Sequence, residues 1–426
     1  MFLNHIFFLD RLDLFKMNDL KAKIYFFIFF IFLMPPFFLT NLKSEEKFVK
    51  KELYQFDEIL DNASYTINLG NLNADIFLTG HIGSGVEINI VSDLVIKNQK
   101  HNTNNQIIVL NNQKEQTLDL QKDTKIRSLN NNSRIELSIP RNININIHAC
   151  IGKIVINNIT GKVGLTSNTG EVIAKSLNGD ITIESSGGNL IIQDSKVILS
   201  AHINSGDITL SNIHGESKLS TSGGNINIEN FTGGIIAHAY SGSIHLKDIL
   251  GESIKGKTSS GSISGNRING KSTFETQTGN IQLKDASGQI KLSSTDGDMN
   301  IENCKNELIC KTLNGDITID KMIGSIDAES FLGNINLDLA YSSSLKNYYY
   351  NISTIEGDVT INIPKNLSAS LKSSIHGERS SQDITSDIPL SFKSQNNQII
   401  GEALINGGLI PININSKNGY ISIKDN

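Results

Sequence analysis

The sequence contains no tryptophan, only six prolines and three cysteines in 426 residues. It also lacks an excess of positive charge, because 38 lysines and arginines stand against 43 aspartates and glutamates and the formal net charge is −5. This balance excludes the basic surface that is typical of proteins that bind nucleic acids. The missing tryptophan weakens a function in which sugar rings stack on an indole.

The motifs of several enzyme classes are absent as well. No nucleophile elbow, phosphate-binding loop or zinc-binding helix is present, and the glycines follow strands without opening helices. Cys150, Cys304 and Cys310 are an odd number and form no Cys-x-x-Cys motif. Cys310 falls at an inward position of the repeat described next, so it is expected in the core, with a Cys304–Cys310 disulfide as the alternative.

Glycine, by contrast, is abundant and regularly spaced. The 35 glycines include a series that recurs every nine residues, with one residue inserted after Gly251 and with Val197 and Asn306 in place of glycine. The series comprises Gly152, Gly161, Gly170, Gly179, Gly188, Gly206, Gly215, Gly224, Gly233, Gly242, Gly251, Gly261, Gly270, Gly279, Gly288, Gly297, Gly315, Gly324 and Gly333.

A short β-strand is predicted after each glycine of this series. Two and four residues after the glycine the side chain is mostly apolar, as in Ile181 and Ile183 or Ile317 and Ile319, and the residues between are Thr, Asn, Gln or Lys. Such alternation is typical of a half-buried strand. Each glycine, usually beside Asn, Asp, Ser or Thr, is expected to turn the chain with a positive φ.

A longer period of eighteen residues decides the architecture. In alternate repeats the glycine is followed by Asp, Asn or Ser, as at Asp207 and Asp316, whereas in the others a small residue such as Thr221 or Ser330 follows six positions later. Recurrence of like with like every second strand is what stacked coils require. We therefore predict an all-β fold, a parallel β-solenoid with about eighteen residues and two short strands per coil and a core about 50 Å long.

A calcium-loaded β-roll is the main alternative, because its motif G-G-x-G-x-D-x-U-x has the same nine-residue period. Gly223-Gly224 is followed by Asn225-Ile226-Asn227, and no stretch has the third glycine with an aspartate two residues later. We therefore expect apolar side chains, and not calcium-binding turns, to hold the fold together.

Residues 1–44 are predicted to be a signal peptide or a short membrane anchor. Lys21 and Lys23 precede an apolar run that ends at Met34, and a positive flank before such a run is typical of a secretory signal. The run is shorter than the ~20 apolar residues of a spanning helix, but no small-x-small cleavage site follows, so both alternatives stay open. A start at Met17 instead of Met1 would give a more ordinary signal. In either case the chain is expected to be exported.

Less regular β structure is predicted on both sides of the glycine series. Residues 50–150 contain longer strands and polar loops and are interpreted as an N-terminal β cap, residues 151–340 as the repeat β-solenoid, and residues 341–426 as a C-terminal β cap. The ends of solenoids need atypical caps, because an open sheet edge invites aggregation.

Three stretches of the chain resemble a known family. They are the repeated unit typified by Thr312-Leu-Asn-Gly-Asp-Ile-Thr-Ile319, the strand that ends in Ser138-Ile-Pro140, and the terminal Asn415-Ser-Lys-Asn-Gly-Tyr-Ile-Ser-Ile423. Over about residues 56–424 the chain resembles the bacterial putative-adhesin family, a domain of unknown function. The resemblance implies an exported β-solenoid with an adhesive role, and it supplies no catalytic residues.

Four carboxylates, here called the acidic set, are the strongest candidates for chemistry: Asp298, Glu302, Asp316 and Asp320. Asp298 and Asp316 are expected at the same outward position one coil apart, about 5 Å from each other, and Glu302 and Asp320 share a second outward row with Asp338. Stacked like charges repel unless a cation or a shared proton relieves them. We interpret these residues as turn and surface carboxylates that accept backbone N–H bonds and are screened by lysines. A weak cation site and paired acid–base catalysis are the alternatives.

The histidines are not expected to form a metal site. His202 and His238 share an outward position but lie two coils apart, roughly 9.6 Å by strand spacing, whereas a metal ion is bound at about 2 Å. His214 and His245 fall at other positions. No catalytic, cofactor-binding or metal-binding residue and no cofactor is therefore predicted.

The sequence predicts an exported protein of the envelope or cell surface, or a secreted one, that presents an extended face for binding. Its partner is expected to be a protein or glycan at the envelope or surface, with no nucleic acid, and with membrane contact only through the N-terminal segment. A structural or sensory envelope scaffold would have the same fold but a protein partner from the same cell. A polysaccharide-active β-helix enzyme would need a cleft walled by long loops, for which the repeat leaves no room.

Overall fold

The structure, a computed structural model, describes residues 47–56, 65–95, 107–122, 133–342, 348–377 and 379–426. The predicted signal peptide or anchor of residues 1–44 therefore lies outside the described residues. No helix capable of crossing a membrane occurs among the residues that are described.

Two compact units are distinguished in the chain. One comprises residues 1–49 and 93–102, of which the structure describes only 47–49 and 93–95. The other comprises residues 50–92 and 103–426, and the strand pairings, core and site described below lie in this second unit.

The described elements are β-strands, apart from a single 3-10 turn at Ser381–Asp383. The strands before the glycine series are β1 Lys47–Phe56, β2 Thr66–Gly70, β3 Ala74–His81, β4 Val86–Val95, β5 Ile107–Asn112, β6 Thr117–Lys122, β7 Ser133–Pro140 and β8 Asn144–Ile151. Those within the series are β9 Ile154–Asn157, β10 Val163–Thr169, β11 Val172–Lys175, β12 Asn178–Ser185, β13 Leu190–Ile203, β14 Ile208–Thr221, β15 Ile226–Thr232, β16 Ile235–Ala239, β17 Ile244–Leu250, β18 Ile254–Thr258, β19 Ile263–Asn269, β20 Ser272–Thr276, β21 Ile281–Lys284, β22 Ser287–Ser294, β23 Met299–Glu302, β24 Lys305–Thr312, β25 Ile317–Ser330 and β26 Ile335–Leu339. Those after it are β27 Tyr350–Thr354, β28 Val359–Ile363, β29 Ala369–His376, β30 Ile384–Ser386, β31 Ser391–Gln395, β32 Gln398–Ile405, β33 Ile410–Ser416 and β34 Ile421–Asp425.

Backbone pairing arranges these strands in two stacks. In stack 1 the order is β5, β6, β2, β8, β10, β12, β13, β14, β16, β18, β20, β22, β24, β25, β27, β33, β29, β32, β31. In stack 2 it is β4, β7, β3, β9, β11, β13, β14, β15, β17, β19, β21, β23, β25, β26, β28, β34, β30. The long strands β13, β14 and β25 give one half to each stack, because each continues through the corner between them.

The register of the pairing follows the sequence period. Val163 pairs with Ile181 and Ile317 with Ile335, a step of eighteen residues, and the step is nineteen where one residue is inserted, as between Ile235 and Ile254. The predicted all-β class and the long parallel sheet are confirmed, and the arrangement is solenoid-like.

Antiparallel pairs occur near both ends of the stacks. Before the glycine series, β4 pairs antiparallel with β7 and β5 with β6. After it, β32 pairs antiparallel with both β29 and β31. The pairs between these ends are parallel, and the parallel pairing extends beyond the glycine series on both sides, as between β2 and β8 and between β28 and β34.

The apolar side chains of the two stacks meet in one continuous core. Ile317 and Ile319 are buried, whereas Thr318 between them is exposed, which follows from the alternation of side chains along a strand. The three cysteines are buried and unpaired, so the alternative of a Cys304–Cys310 disulfide is wrong. Burial raises the pKa of the Cys304 thiol to about 11, and these cysteines act as small apolar core residues.

The glycines of the series adopt two different backbone conformations. Gly324 has a φ of +139°, as predicted. Gly315 and Gly297 have a φ outside the left-handed range, and there the prediction of a positive-φ corner is wrong. A Cβ on Gly315 would lie 2.2 Å from the carbonyl oxygen of Gly297. Glycine is needed at such positions because the backbones of successive repeats approach too closely for any side chain.

The inward and outward assignment can be tested with one matched pair of substitutions. Ile317→Asp places an unpaired carboxylate in the core and is expected to destabilise the fold by about 3 kcal/mol or more. Thr318→Asp places the same group on the surface and is expected to change stability by about 0.5 kcal/mol or less. Denaturant unfolding measures both, and equal losses would show that the strand is assigned one residue out of register.

Candidate functional site

One row of polar side chains crosses the outer face of stack 2. Each member is the third residue after a glycine of the series and lies between two buried residues of its strand. We call these residues the polar row: Thr209, Asn227, His245, Ser264, Gln282, Asn300 and Thr318. Register places them in one line from strand to strand, at a spacing of about 4.8 Å.

A second row lies two residues further along the same strands. We call it the charged row: Ser211, Glu229, Lys247, Asn266, Lys284, Glu302 and Asp320. Its opposite charges pair with each other across neighbouring strands. Lys247 forms an ion pair with Glu229, and Lys284 Nζ donates to both carboxylate oxygens of Glu302 at 3.0 and 2.9 Å.

The two rows line a shallow trough of about 740 Å³. Its lining comes from consecutive strands of stack 2, from Thr209 to Asp320. The trough is therefore a feature of the stack and not of a loop, and its side chains are fixed by strand register. Within it, His245 Nδ1 and Ser264 Oγ are hydrogen-bonded at 2.7 Å.

The acidic set divides between this trough and the adjacent turns. Glu302 and Asp320 lie in register on neighbouring strands and line the trough. Lys284 pairs with Glu302, and Lys321 Nζ lies 3.4 Å from Asp320. Lysines therefore screen this acidic pair, as the sequence interpretation expected.

Asp298 and Asp316 belong to a turn ladder that runs from repeat to repeat. The backbone N–H of Asp298 donates to Oδ1 of Asn280 at 2.9 Å, that of Asp316 to Oδ1 of Asp298 at 2.9 Å, and that of Asn334 to Oδ1 of Asp316 at 2.7 Å. The expectation that these carboxylates accept backbone N–H bonds is confirmed. Like charges are tolerated one repeat apart because a donor lies between them.

Buried hydroxyl groups tie the same turns to the preceding repeat. Thr221 Oγ1 donates to the carbonyl of Gly206 at 3.0 Å and accepts from the N–H of Gly224 at 3.1 Å. The same pair of bonds is formed by Thr258, Thr276, Ser330 and Ser416. In the sequence these positions were recognised only as small residues. Their shared hydroxyl group is the feature from which a hydrogen bond could have been predicted.

The opposite corner of each repeat has a ladder of its own. Asn212 and Asn230 adopt φ of 57° and 54°, a conformation that asparagine tolerates better than most residues. Asn212 Nδ2 donates to Oδ1 of Asp194 at 2.7 Å, and Asn230 Nδ2 donates to Oδ1 of Asn212 at 2.7 Å. The hydrogen bond from Asn212, with that from Lys175, lowers the pKa of Asp194. This ladder was not predicted from the sequence, although its residues recur six positions after alternate glycines.

The described residues contain no arranged metal-binding site. Across the described ranges no group of three or more His, Cys, Asp or Glu side chains is placed to hold a metal ion. His202 and His238 are separated by the strand that carries Ser220, so the structure does not bring them together. His245 is the one residue among the four histidines considered that lines the trough.

The structural role of the turn carboxylates predicts a difference between two double variants. Asp298→Ala with Asp316→Ala removes two acceptors for backbone N–H groups and is expected to cost about 1–2 kcal/mol in unfolding free energy. Asp298→Asn with Asp316→Asn keeps an acceptor at each position and is expected to cost much less. Calcium is expected to raise the melting temperature of the parent by less than about 2 °C. A larger rise that the Asn variant loses would show a cation site instead.

Comparison with known proteins gives a family match within this fold. Residues 233–391 match the family model described as Toastrack DUF4097. No curated protein matches the sequence. A crystal structure of a putative cell adhesion protein from Clostridium sporogenes aligns with 89% of this chain and 100% of that chain, at 9% identity and a TM-score of 0.18.

The family match covers strands of both stacks and most of the trough. It is shorter than the resemblance noted at about residues 56–424, since it begins after β15 and ends at the start of β31. Residues 233–391 therefore match the Toastrack DUF4097 family model, and the resemblance of the chain to the bacterial putative-adhesin family is confirmed over that stretch.

Proposed function

We propose that this chain is an exported protein of the cell envelope or surface that acts as an adhesin-like binding module. The observation that carries the proposal is the trough on stack 2, where neighbouring strands present hydrogen-bonding side chains on a rigid scaffold. Exposed Gln282 and Asn300 form no side-chain hydrogen bond within the described residues. Such groups are available to a partner, and the resemblance to the putative-adhesin family supports an adhesive use.

The proposal includes a specific geometry for the scaffold. The chain is a β-solenoid whose coil contains about eighteen residues and two short strands, with caps formed by residues 50–150 and 341–426. The eighteen-residue steps in both stacks support this coil, and the antiparallel pairs near each end support the caps. One coil then contributes one member to the polar row, so the length of the trough grows with the number of coils.

Deletion of whole and half coils tests this geometry. Removal of Gly279–Asp296 deletes one period and is expected to leave a folded, shorter protein, because like strands still stack on like. Removal of Gly279–Ser287 deletes half a period and is expected to cause misfolding, because unlike strands and turns are then stacked. Thermal melts of both deletions provide the measurement, and equal stability would contradict the two-strand coil.

The proposed role needs no catalytic group. Glu302 and Asp320, the acidic pair in the trough, are engaged by Lys284 and Lys321. A general acid–base pair would instead need carboxylates free to exchange protons with a substrate. The trough is shallow and is lined by strands, which suits recognition of a long partner along its length.

Accessibility on intact cells is the experiment that tests the proposed function. Cells that produce the full chain with a C-terminal tag are treated with a protease, before and after permeabilisation. The chain is expected to be cleaved on intact cells, and cells that produce it are expected to bind more partner material than cells that lack it. A cytoplasmic protein serves as the control for cell integrity.

The opposite result would favour the scaffold. Protection on intact cells with cleavage after permeabilisation would place the chain behind a membrane, where it could contact only partners of its own cell. That outcome contradicts a surface adhesin and supports a structural or sensory envelope role.

A further inference from the structure

The chemistry of the trough points to one class of occupant, and this step rests on the proposed binding function. We propose that the trough binds a single extended, uncharged polysaccharide chain. The chain lies across the strands, along the direction of stacking, with about one sugar residue facing each member of the polar row.

Hydrogen-bonding capacity is the first argument for a glycan. The side-chain amides of Asn227, Gln282 and Asn300 can each donate and accept. Sugar hydroxyl groups also donate and accept, so each amide can satisfy a hydroxyl in either sense. These three amides form no side-chain hydrogen bond within the described residues, and a ligand would therefore displace only water.

Charge is the second argument, and it favours a neutral chain. The charged row alternates in sign where Glu229 pairs with Lys247 and Lys284 with Glu302. A polyanion would meet the carboxylates of the row and a polycation would meet its lysines. Since the pairs neutralise each other, neither sign of charged polymer gains a continuous complementary surface.

Spacing is the third argument, and it separates a glycan from a peptide. Members of the polar row recur at the strand spacing of about 4.8 Å. An extended peptide advances about 3.4 Å per residue and about 6.8 Å between side chains on one face, so it falls out of step with the row within a few residues. A pyranose linked through opposite ring positions advances by a length nearer to one strand spacing, so an extended glycan falls out of step with the row more slowly than a peptide does.

The dimensions of the trough set the length that is recognised. Seven strands contribute to the polar row, and the six steps between them span roughly 29 Å. Phe, Tyr and Trp are absent from the residues that line the trough, so no large aromatic ring stacks on a sugar, and each hydrogen bond to a sugar is individually weak. Affinity is therefore expected to accumulate with chain length up to about six or seven sugars.

Oligosaccharide titration of the purified full chain tests this expectation. Neutral linear β-1,4-linked oligosaccharides of two to eight residues are titrated in a calorimeter at low salt and in 0.5 M NaCl. Affinity is expected to rise with length, to level off at about six or seven residues and to be insensitive to salt. Polygalacturonate and an uncharged nine-residue peptide are expected to bind at least about tenfold more weakly.

A triple variant places the binding in the trough. Asn227→Ala, Gln282→Ala and Asn300→Ala together are expected to weaken binding at least about tenfold, without a change in melting temperature. The matched control is Ser200→Ala, Ser220→Ala and Ser293→Ala on the outer face of stack 1, which is expected to bind like the parent.

The results that overturn the proposal differ from those that overturn the surface role. Equal binding by the two triple variants, no binding of any neutral linear oligosaccharide, or tighter salt-sensitive binding of polygalacturonate would each refute a neutral glycan in the trough. If cells that display the trough variant still adhere like the parent, the surface role stands and the glycan assignment fails. Protection from protease on intact cells, with cleavage after permeabilisation, refutes the surface role whatever the oligosaccharides show.

Discussion

Close stacking of one repeat's backbone on the next is the constraint on which the rest of this structure depends. A Cβ on Gly315 would lie 2.2 Å from the carbonyl oxygen of Gly297 in the preceding repeat. Only glycine therefore allows the two backbones to approach this closely. Parallel pairing at a step of eighteen residues follows. Every side chain is then placed above its equivalent, and the protein is built from columns of like residues.

The polar groups of the fold are satisfied column by column. Turn residues such as Asp298 and Asp316 accept the N–H of the next repeat, buried hydroxyls such as Thr221 bridge two turns, and Asn212 continues the corner ladder. Each such bond contributes about 1 kcal/mol net. Loss of one member also leaves the N–H or carbonyl group of its neighbour unpaired, so the bonds of a column depend on each other. Of the acidic set, Asp298 and Asp316 belong to this ladder, whereas Glu302 and Asp320 pair with lysines.

The same columns separate structural positions from positions open to a partner. Inward residues such as Ile317 are fixed by the core, and turn residues are fixed by the ladders. Outward residues of stack 2, such as Gln282 and Asn300, belong neither to the core nor to the ladders, so their side chains are available to form the trough. A binding surface built this way is long, regular and rigid, and it loses little conformational freedom when a partner is bound.

The sequence by itself determined the strand content, the eighteen-residue period and the inward and outward assignment, because glycine spacing and apolar alternation are local patterns that recur in every repeat. It also indicated that Asp298 and Asp316 are turn residues. Only the tertiary structure decided that glycines such as Gly315 avoid a clash instead of supplying a positive φ, and that Thr221 bonds to the repeat before it. The trough is likewise visible only in the tertiary structure, since Thr209 and Thr318 lie far apart in the chain and reach one face only through the stacking of the strands. Such contacts depend on the distance between repeats, which no single repeat encodes.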